Sequence, residues 1–268
     1  MKIRYPISRK ERLSSKKKKK KRFKKPIPRI VVPSFFTLMN LFCGFLSIIS
    51  TAEGDYILAC WLIVIAGLFD TLDGFMARLS NASSDFGIEL DSLSDIVSFG
   101  VAPGFLLYTV SMNELQLVGI MISALPPLCG AVRLARFNVD AQQEGSNDFF
   151  KGLPIPAQAI MLTALYLTFA ESMDLFEQME FGFNSVLMPV VILLSFLMVS
   201  TVPFDKIPRF DKETIKNHKG KIVLFIVYLL LIVIFQEYGL MLVFSIFILK
   251  GLILSAIRFW YNKVNEEY

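Results

Sequence analysis

The chain has 268 residues, of which 54% are hydrophobic and 19% are charged, and its mean hydropathy is +0.55. Soluble globular proteins carry about 25% charged residues, whereas apolar runs long enough to cross a bilayer recur along this chain. These features exclude an ordinary soluble protein and predict an all-α, polytopic membrane helix bundle. The formal net charge of +5 comes from one N-terminal block, so it does not indicate a nucleic-acid partner.

The N-terminal block is strongly basic and contains the run SSKKKKKKRFKKPIPR. Such a segment cannot bury enough apolar area to fold. Residues 1–31 are therefore predicted to form a disordered cytoplasmic tail before a single membrane domain, residues 32–268. The block is not a secretory signal, in which a short charged region leads directly into an apolar stretch. Two roles remain open for it, namely topogenesis by the positive-inside rule and attraction to anionic lipid headgroups.

Eight apolar stretches follow the tail, and each is predicted to be a transmembrane helix. In chain order they are Val32–Thr51, Tyr56–Arg78, Asp91–Val110, Leu115–Phe137, Pro156–Ala170, Ser185–Pro203, Lys221–Phe235 and Leu240–Phe259. The seventh stretch is short. Together with the eighth it could form a tight helical hairpin around the sequence QEYG, residues 236–239.

Charge segregation between the loops predicts the orientation of these helices. If the N-terminus is cytoplasmic, the outside loops AEGD, SMNE, ESMDLFEQMEFGFN and QEYG contain acids but no Lys or Arg. The inside segments then hold basic residues, which include Arg78, Arg133, Arg136, Lys151 and those of loop 205–221. This distribution is what the positive-inside rule requires, so we expect a multi-pass protein of the cell (inner) membrane with a cytoplasmic N-terminus.

Four aspartates frame the connection between the second and third predicted helices, within DTLDGFMARLSNASSDFGIELDSLSD, residues 70–95. Asp70 and Asp73 are three apart, and Asp91 and Asp95 are four apart, so each pair lies on one helix face. A connecting loop of about residues 79–90, which would hold Gly87, makes the helices antiparallel neighbours. The four carboxylates are therefore expected to converge near the cytoplasmic end of the bundle.

Four close carboxylates in a low-dielectric site repel one another strongly. Divalent cations would relieve this repulsion, and oxygen ligands suit Mg²⁺, Mn²⁺ or Ca²⁺ better than Zn²⁺. A pair of such ions can support phosphoryl transfer. Gly74 and Ala77 leave space beside Asp73, and Arg78 offers a planar fork for phosphate oxygens. The acids alone would equally fit an ion-coupled transporter, and from the residues alone both interpretations remain open.

The spacing of these residues resembles the signature of the CDP-alcohol phosphotransferase family. The matching pattern is Asp70-x-x-Asp73-Gly74-x-x-Ala77-Arg78, eight further residues, and Gly87-x-x-x-Asp91-x-x-x-Asp95. Four other segments resemble the phosphatidylserine synthase branch of that family: PSFFTLMNLFCGFLSI (33–48), SLSDIVSFGVAPGFLLY (92–108), RLARFNV (133–139) and FKGLPIPAQA (150–159). Many relatives have Asn after the first Pro, where this chain has Ser34.

The resemblance implies a reaction and assigns roles to residues. A CDP-linked diacylglycerol would transfer its phosphatidyl group to the hydroxyl of serine and release CMP; sister enzymes use glycerol phosphate, inositol phosphate or choline. The four aspartates Asp70, Asp73, Asp91 and Asp95 would hold two divalent cations, Mg²⁺ or Mn²⁺ with Ca²⁺ as a further option, and Asp95 would be the general base. Contacts to the CDP-diacylglycerol would come from Ser34, Thr37, Gly74, Ala77, Arg78 and Ser84. Relatives form homodimers, so a homodimer is expected.

A serine acceptor would also need a partner for its carboxylate, because a buried anion without a cation is costly. Arg133 and Arg136 are three apart at the predicted cytoplasmic end of the fourth helix, so they share a face and a depth with the aspartates. We predict that at least one of them holds the serine carboxylate. Two other roles stay open for both arginines, namely membrane topology alone and binding of the lipid phosphate.

Overall fold

A computed structural model of the chain describes residues 31–80, 84–142, 149–205 and 219–266. The predicted basic tail lies outside the described residues apart from Val31, as does most of the Lys-rich loop 205–221. The predicted bounds of the tail and of the membrane domain therefore stay predictions.

Most of the described chain is helical. The helices are α1 Val31–Ala52, α2 Tyr56–Ser80, α3 Asp85–Asp95, α4 Ala102–Val110, α5 Gln116–Ser123, α6 Leu125–Gln142, α7 Ile155–Phe169, α8 Asn184–Val199 and α9 Lys219–Glu266. A π-helical segment, Ile96–Val101, joins α3 to α4 without a break. Short 3₁₀ turns, Met112–Leu115 and Met173–Phe176, precede α5 and α8.

Five helical stretches in the described part of the chain are long and apolar enough to cross a membrane. They are Pro33–Ala52, Tyr56–Leu79, Asp85–Val110, Met112–Asp140 and Val227–Arg258. Helices α7 and α8 are apolar but shorter. The prediction of a helical membrane bundle is therefore confirmed, whereas the number of eight crossings and the side of the membrane that the site faces stay predictions.

The last long stretch contains a sharp break at Gln236, whose φ is 45° and ψ is −116°. Three residues after it, Gly239 lies so close to Leu231 that an added Cβ would collide with the Leu231 carbonyl. In a continuous helix these two residues would be about 12 Å apart along the axis. The chain therefore turns back on itself at QEYG, in agreement with the helical hairpin that the sequence suggests.

The same turn occurs earlier in the chain, at Gln116, whose φ is 50° and ψ is −123°. Gly119 follows it by three residues and lies so close to Met112 that an added Cβ would collide with the Met112 carbonyl. Both glutamines are exposed and both glycines are buried. A glycine is needed at the second position because a Cβ there would meet a backbone oxygen.

The connection between α2 and α3 is shorter than the sequence suggests. Helix α2 continues to Ser80 and α3 begins at Asp85, so the prediction of a loop over residues 79–90 was wrong. Ser84 is the reason: its side chain accepts a hydrogen bond from the Gly87 N–H at 3.0 Å and caps the helix. Gly87 therefore belongs to the first turn of α3 and not to a loop.

Hydroxyl groups and a glycine hold α1 against α3 and the π-helical segment. Ser94 Oγ donates to the Thr37 carbonyl at 3.2 Å, and Ser98 Oγ donates to the Asn40 carbonyl at 2.9 Å. Gly44 lies so close to Ser98 that a Cβ would collide with it. Small residues and hydrogen bonds of this kind drive helix association in lipid, where apolar contact alone gives no preference for a neighbouring helix.

A two-stranded antiparallel sheet is the one described feature that an all-helical prediction omits. Strands β1 Phe149–Lys151 and β2 Pro203–Asp205 pair Phe150 with Phe204. The Phe204 ring is fully buried and lies 5.6 Å from the Phe247 ring of α9. The sheet thus ties the connection before α7 to the end of α8 and to the last helix.

Candidate active site

The four aspartates lie where α2 and α3 face each other. One side-chain oxygen each from Asp70, Asp91 and Asp95 lies within 4.8 Å of the others. Asp73, one turn beyond Asp70, is also buried, and its side chain lines a pocket next to this cluster. Two α-helical spacings, three in α2 and four in α3, produce the convergence because each places its pair on one face.

Unsatisfied oxygen atoms show that this cluster fits cations. Asp73 Oδ2 and Asp91 Oδ1 are buried and have no hydrogen-bond partner among the described residues. Buried polar atoms nearly always have a partner, and neighbouring anions in a poorly solvated site destabilise one another. Hard divalent cations take carboxylate oxygens as ligands, so the donor set and the orphaned atoms are both compatible with divalent metal binding.

A pocket of about 170 Å³ opens beside the carboxylates. Its walls come from the start of α1, the end of α2 and the start of α3. It is lined by Pro33, Ser34, Thr37, Asp73, Gly74, Ala77, Ser84, Gly87, Ile88 and Asp91. Five of the six residues that the sequence suggests for nucleotide contact thus line one pocket together with two of the aspartates.

Arg78, the sixth of those residues, is exposed and does not line the pocket. Its guanidinium extends back along α2 and lies beside Gly74, where a Cβ would be 3.6 Å from Arg78 Nη1. Side chains of a helix point towards its N-terminus, so this direction follows from the backbone. The guanidinium is therefore next to the pocket wall that Gly74 and Ala77 form.

The two arginines of α6 have different surroundings. Arg133 is 7% exposed and interacts electrostatically with Asp95 and Asp70. Arg136 donates from Nη1 to the Val199 carbonyl at 2.9 Å and from Nη2 to the Ser200 carbonyl at 3.0 Å. Arg136 therefore satisfies the C-terminal carbonyls of α8, whereas Arg133 is buried and interacts electrostatically with the carboxylates.

Comparison with known families agrees with this geometry. The model of the CDP-alcohol phosphatidyltransferase family matches residues 30–202, which is more than half of the chain and includes all four aspartates, the pocket and both arginines. The chain belongs to the CDP-alcohol phosphatidyltransferase family. It is therefore a membrane-embedded transferase, and family membership removes the ion-coupled transporter as an alternative.

Individual relatives show which members of the family the chain is similar to. The transferase is 32% identical to a CDP-diacylglycerol–serine O-phosphatidyltransferase of Helicobacter pylori, over 84% of this chain and 91% of the relative. It is 35% identical to the Bacillus subtilis protein of the same name, over 69% of this chain and 94% of the relative. It is also 35% identical to an archaetidylserine synthase of Methanothermobacter thermautotrophicus, over 69% and 74%.

Asn40 is a residue of this transferase that the motif analysis missed. It is fully buried in α1, and its Nδ2 donates to Asp95 Oδ1 at 3.1 Å. The sequence did carry a signal, because an amide in the middle of an apolar transmembrane helix is costly without a partner. Its partner could not be read from the sequence, since Asp95 lies 55 residues further along the chain.

The π-helical segment of the transferase begins directly after Asp95. A π-helix adds a residue to the turn and often marks a functional site within an α-helix. Here it spans Ile96–Val101 and buries Ser98, which bonds to α1. Because the π-helical turns hold an extra residue, the side chains of α4 do not continue the helix face on which Asp91 and Asp95 lie.

Proposed function

We propose that the transferase moves the phosphatidyl group of CDP-diacylglycerol to the hydroxyl of L-serine, giving phosphatidylserine and CMP. The observation that carries the proposal is the pocket in which Ser34, Thr37, Gly74, Ala77 and Ser84 meet Asp73 and Asp91. A pocket whose walls place hydroxyl groups and small residues beside clustered carboxylates suits a substrate that carries a diphosphate. The names of the relatives support serine as the acceptor.

The chain's own residues would divide the reaction between binding and proton transfer. The serine hydroxyl oxygen forms a bond to the lipid-linked phosphorus, the bond from that phosphorus to the CMP oxygen breaks, and the hydroxyl proton passes to the Asp95 carboxylate. Asp70, Asp73, Asp91 and Asp95 would hold two divalent cations, Mg²⁺ or Mn²⁺ with Ca²⁺ as a further option. When bound, such cations neutralise charge that develops on phosphoryl oxygens.

The pocket would hold the CDP end of the lipid. Ser34 and Thr37 border it from α1, while Gly74 and Ala77 leave room on the α2 side. Arg78, beside Gly74, would pair with diphosphate oxygens through its planar fork. Ser84 accepts the Gly87 N–H with its oxygen, so its hydroxyl hydrogen can still be donated to a phosphate oxygen.

Arg133 would bind the carboxylate of the acceptor. It is buried, positively charged and interacts electrostatically with Asp95, the proposed base. An amino acid held by its carboxylate at Arg133 would present its hydroxyl to the neighbouring carboxylates. Arg136 is less suited to this role because both terminal nitrogens of its guanidinium already donate to carbonyls of α8 and the residue after it.

The remaining predictions are part of the same proposal. The N-terminus would face the cytoplasm of the cell, the protein would lie in the inner membrane, and residues 1–31 would form the basic tail of a domain that begins at residue 32. The pocket would then face the cytoplasm, because the start of α1 forms one of its walls. The protein would act as a homodimer.

The test is CMP release by the purified full chain in detergent with CDP-diacylglycerol and a panel of alcohols. The panel contains L-serine, ethanolamine, glycerol phosphate, inositol phosphate and choline. Ethanolamine is the matched control, since it is serine without the carboxylate. We expect release with serine, little with the other acceptors, and formation of phosphatidylserine in step with CMP.

Chelation provides a second arm of the same experiment. Excess EDTA should abolish CMP release, and added Mg²⁺ or Mn²⁺ should restore it, because clustered carboxylates repel a diphosphate unless cations lie between them. Full activity in EDTA would contradict the metal assignment. Preference for a sister alcohol would contradict the acceptor, and no release with any alcohol would contradict the proposed reaction.

A further inference from the structure

Asn40 lies in α1, a helix that carries none of the four aspartates, and donates a hydrogen bond to the carboxylate cluster. Its Nδ2 lies 3.1 Å from Asp95 Oδ1, both side chains are buried, and Asp95 in turn presents an oxygen within 4.8 Å of oxygens of Asp70 and Asp91. The amide is therefore one contact away from the cluster and belongs to a different helix. Being neutral, it adds a directed hydrogen bond without adding charge.

The Asp95 carboxylate needs such a contact to keep a fixed orientation. The terminal torsion of an aspartate is broad and nearly two-fold, so packing alone does not define the plane of the carboxylate. Close carboxylates also repel, which favours rotation of each oxygen away from the others. A hydrogen bond from Asn40 opposes that rotation and keeps an oxygen directed at Asp70 and Asp91.

The position of Asn40 relative to Asp95 is itself well fixed. The Asn40 carbonyl accepts a hydrogen bond from Ser98 Oγ at 2.9 Å, one turn beyond Asp95. Gly44, one turn beyond Asn40, lies directly against Ser98. The close approach and the hydrogen bond together fix the position of the Asn40 backbone relative to the helix that carries Asp95.

The side-chain amide of Asn40 is oriented to donate to Asp95, although its own oxygen is left without a donor among the described residues. Asn40 Oδ1 is buried and has no hydrogen-bond partner among the described residues. An amide that only satisfied its own polar atoms would be placed where its oxygen also has a donor. The arrangement instead directs an N–H of the amide at the Asp95 carboxylate.

We propose that Asn40 is a positioning residue whose side-chain amide holds the Asp95 carboxylate in the orientation that binds a divalent cation together with Asp70 and Asp91. The inference rests on the proposed function for the identity of the bound ion, and on the geometry for the role of the amide. Hydrogen bonds that orient a metal ligand typically change metal affinity by about 10–100-fold when they are removed.

The experiment measures Mn²⁺ binding to the purified full chain in detergent, without substrate, by calorimetry and by the electron paramagnetic resonance signal of free Mn²⁺. Asn40→Leu keeps the branched shape but removes the donor, and Asn40→Ala removes it without any risk of a clash. We expect both variants to bind Mn²⁺ about 10–100-fold more weakly than the wild type. The wild type should also gain more thermal stability from Mn²⁺ than either variant.

Ser47→Ala is the matched control. Ser47 is buried in the same helix and donates to the Ala59 carbonyl at 2.9 Å, so its loss removes an interhelical hydrogen bond without touching a carboxylate. Its Mn²⁺ affinity should equal that of the wild type. If either folded Asn40 variant binds Mn²⁺ within about twofold of the wild type, or if the wild type does not bind Mn²⁺, the positioning role is wrong. Absence of CMP release by a wild type that binds Mn²⁺ would contradict the proposed function and not this role.

Discussion

Burial gives Asp95 the surroundings that a base for an alcohol requires. Its side chain is 6% exposed and accepts the Asn40 hydrogen bond at 3.1 Å. Water is therefore largely excluded, and the carboxylate is held in place while a substrate hydroxyl approaches. General acid–base catalysis by a positioned side chain typically contributes about 10²–10⁴-fold to the rate.

The variant Asp95→Asn tests the proposed base. It keeps the shape of the side chain but removes the proton acceptor, so we expect turnover to fall at least about 100-fold. The measurement is the rate of CMP release at saturating serine and CDP-diacylglycerol, with the thermal midpoint of the variant as a check on folding. Near-normal turnover in the folded variant would rule out this role for Asp95.

The variants Arg133→Lys and Arg136→Lys form a matched pair three residues apart in α6. Both retain the charge and lose the planar fork. Arg133→Lys should raise the KM for serine by about tenfold or more, as expected for a weakened hydrogen bond to a charged group, and leave the KM for CDP-diacylglycerol nearly unchanged.

Arg136→Lys should behave differently, because it loses hydrogen bonds to the carbonyls of Val199 and Ser200. It should lower the thermal midpoint while leaving the ratio of the two KM values as in the wild type. Equal effects of Arg133→Lys on both substrates would remove the serine-binding role and favour binding of the lipid phosphate. A selective effect of Arg136→Lys on serine would reverse the assignment.

At the level of helices, two sharp turns use the same pair of residue types. A glutamine with positive φ is followed three residues later by a buried glycine at Gln116 and Gly119, and again at Gln236 and Gly239. The glycine lets the returning helix approach a backbone carbonyl of the preceding one. Small residues are common where membrane helices pack together, because they let the two backbones approach closely.

Gly239→Ala should therefore destabilise the protein. The added Cβ would meet the carbonyl of Leu231, and overpacking of this kind costs roughly 1–3 kcal/mol. The measurement is the thermal midpoint of the purified protein in detergent. Gly220→Ala is the control, since Gly220 lies in α9 before the turn, is exposed, and a Cβ there meets no atom of the described residues within 4 Å. An unchanged midpoint in Gly239→Ala would show that the hairpin does not pack so closely.

Across the whole molecule, the pocket lies at one end of the helix bundle. The start of α1, the end of α2 and the start of α3 all contribute to it, so it lies at the end of the bundle where α1 begins. The pocket and the start of α1 therefore lie on the same side of the membrane. Lys and Arg segregation predicts that both are cytoplasmic.

Labelling of single cysteines tests that orientation. We expect Glu177→Cys, in the segment before α8, to react with an impermeant maleimide in intact cells, and Lys212→Cys, which lies outside the described residues, to react only after permeabilisation. The background is low because the native Cys43 and Cys60 are buried and Cys129 is half-buried. Labelling of Lys212→Cys alone in intact cells would overturn the predicted orientation.

Local features of the fold could be predicted because they depend on neighbouring residues. Apolar length indicates membrane helices, and spacings of three and four place Asp70 with Asp73 and Asp91 with Asp95 on single faces. The start of α3 was misjudged because its first turn contains Gly87, a residue typical of turns. There the cap by Ser84 decides the boundary, and hydrophobic periodicity carries little information.

Apolar length and residue spacing were enough to predict a membrane helix bundle in which two pairs of aspartates flank one short connection. The folded chain was needed to see that Arg133 interacts electrostatically with the carboxylates, that Arg136 binds the end of α8, and that Asn40 donates to Asp95. These contacts join helices far apart in the chain. Their existence depends on how each helix is rotated and how deeply it packs, and close approaches at small residues set both quantities.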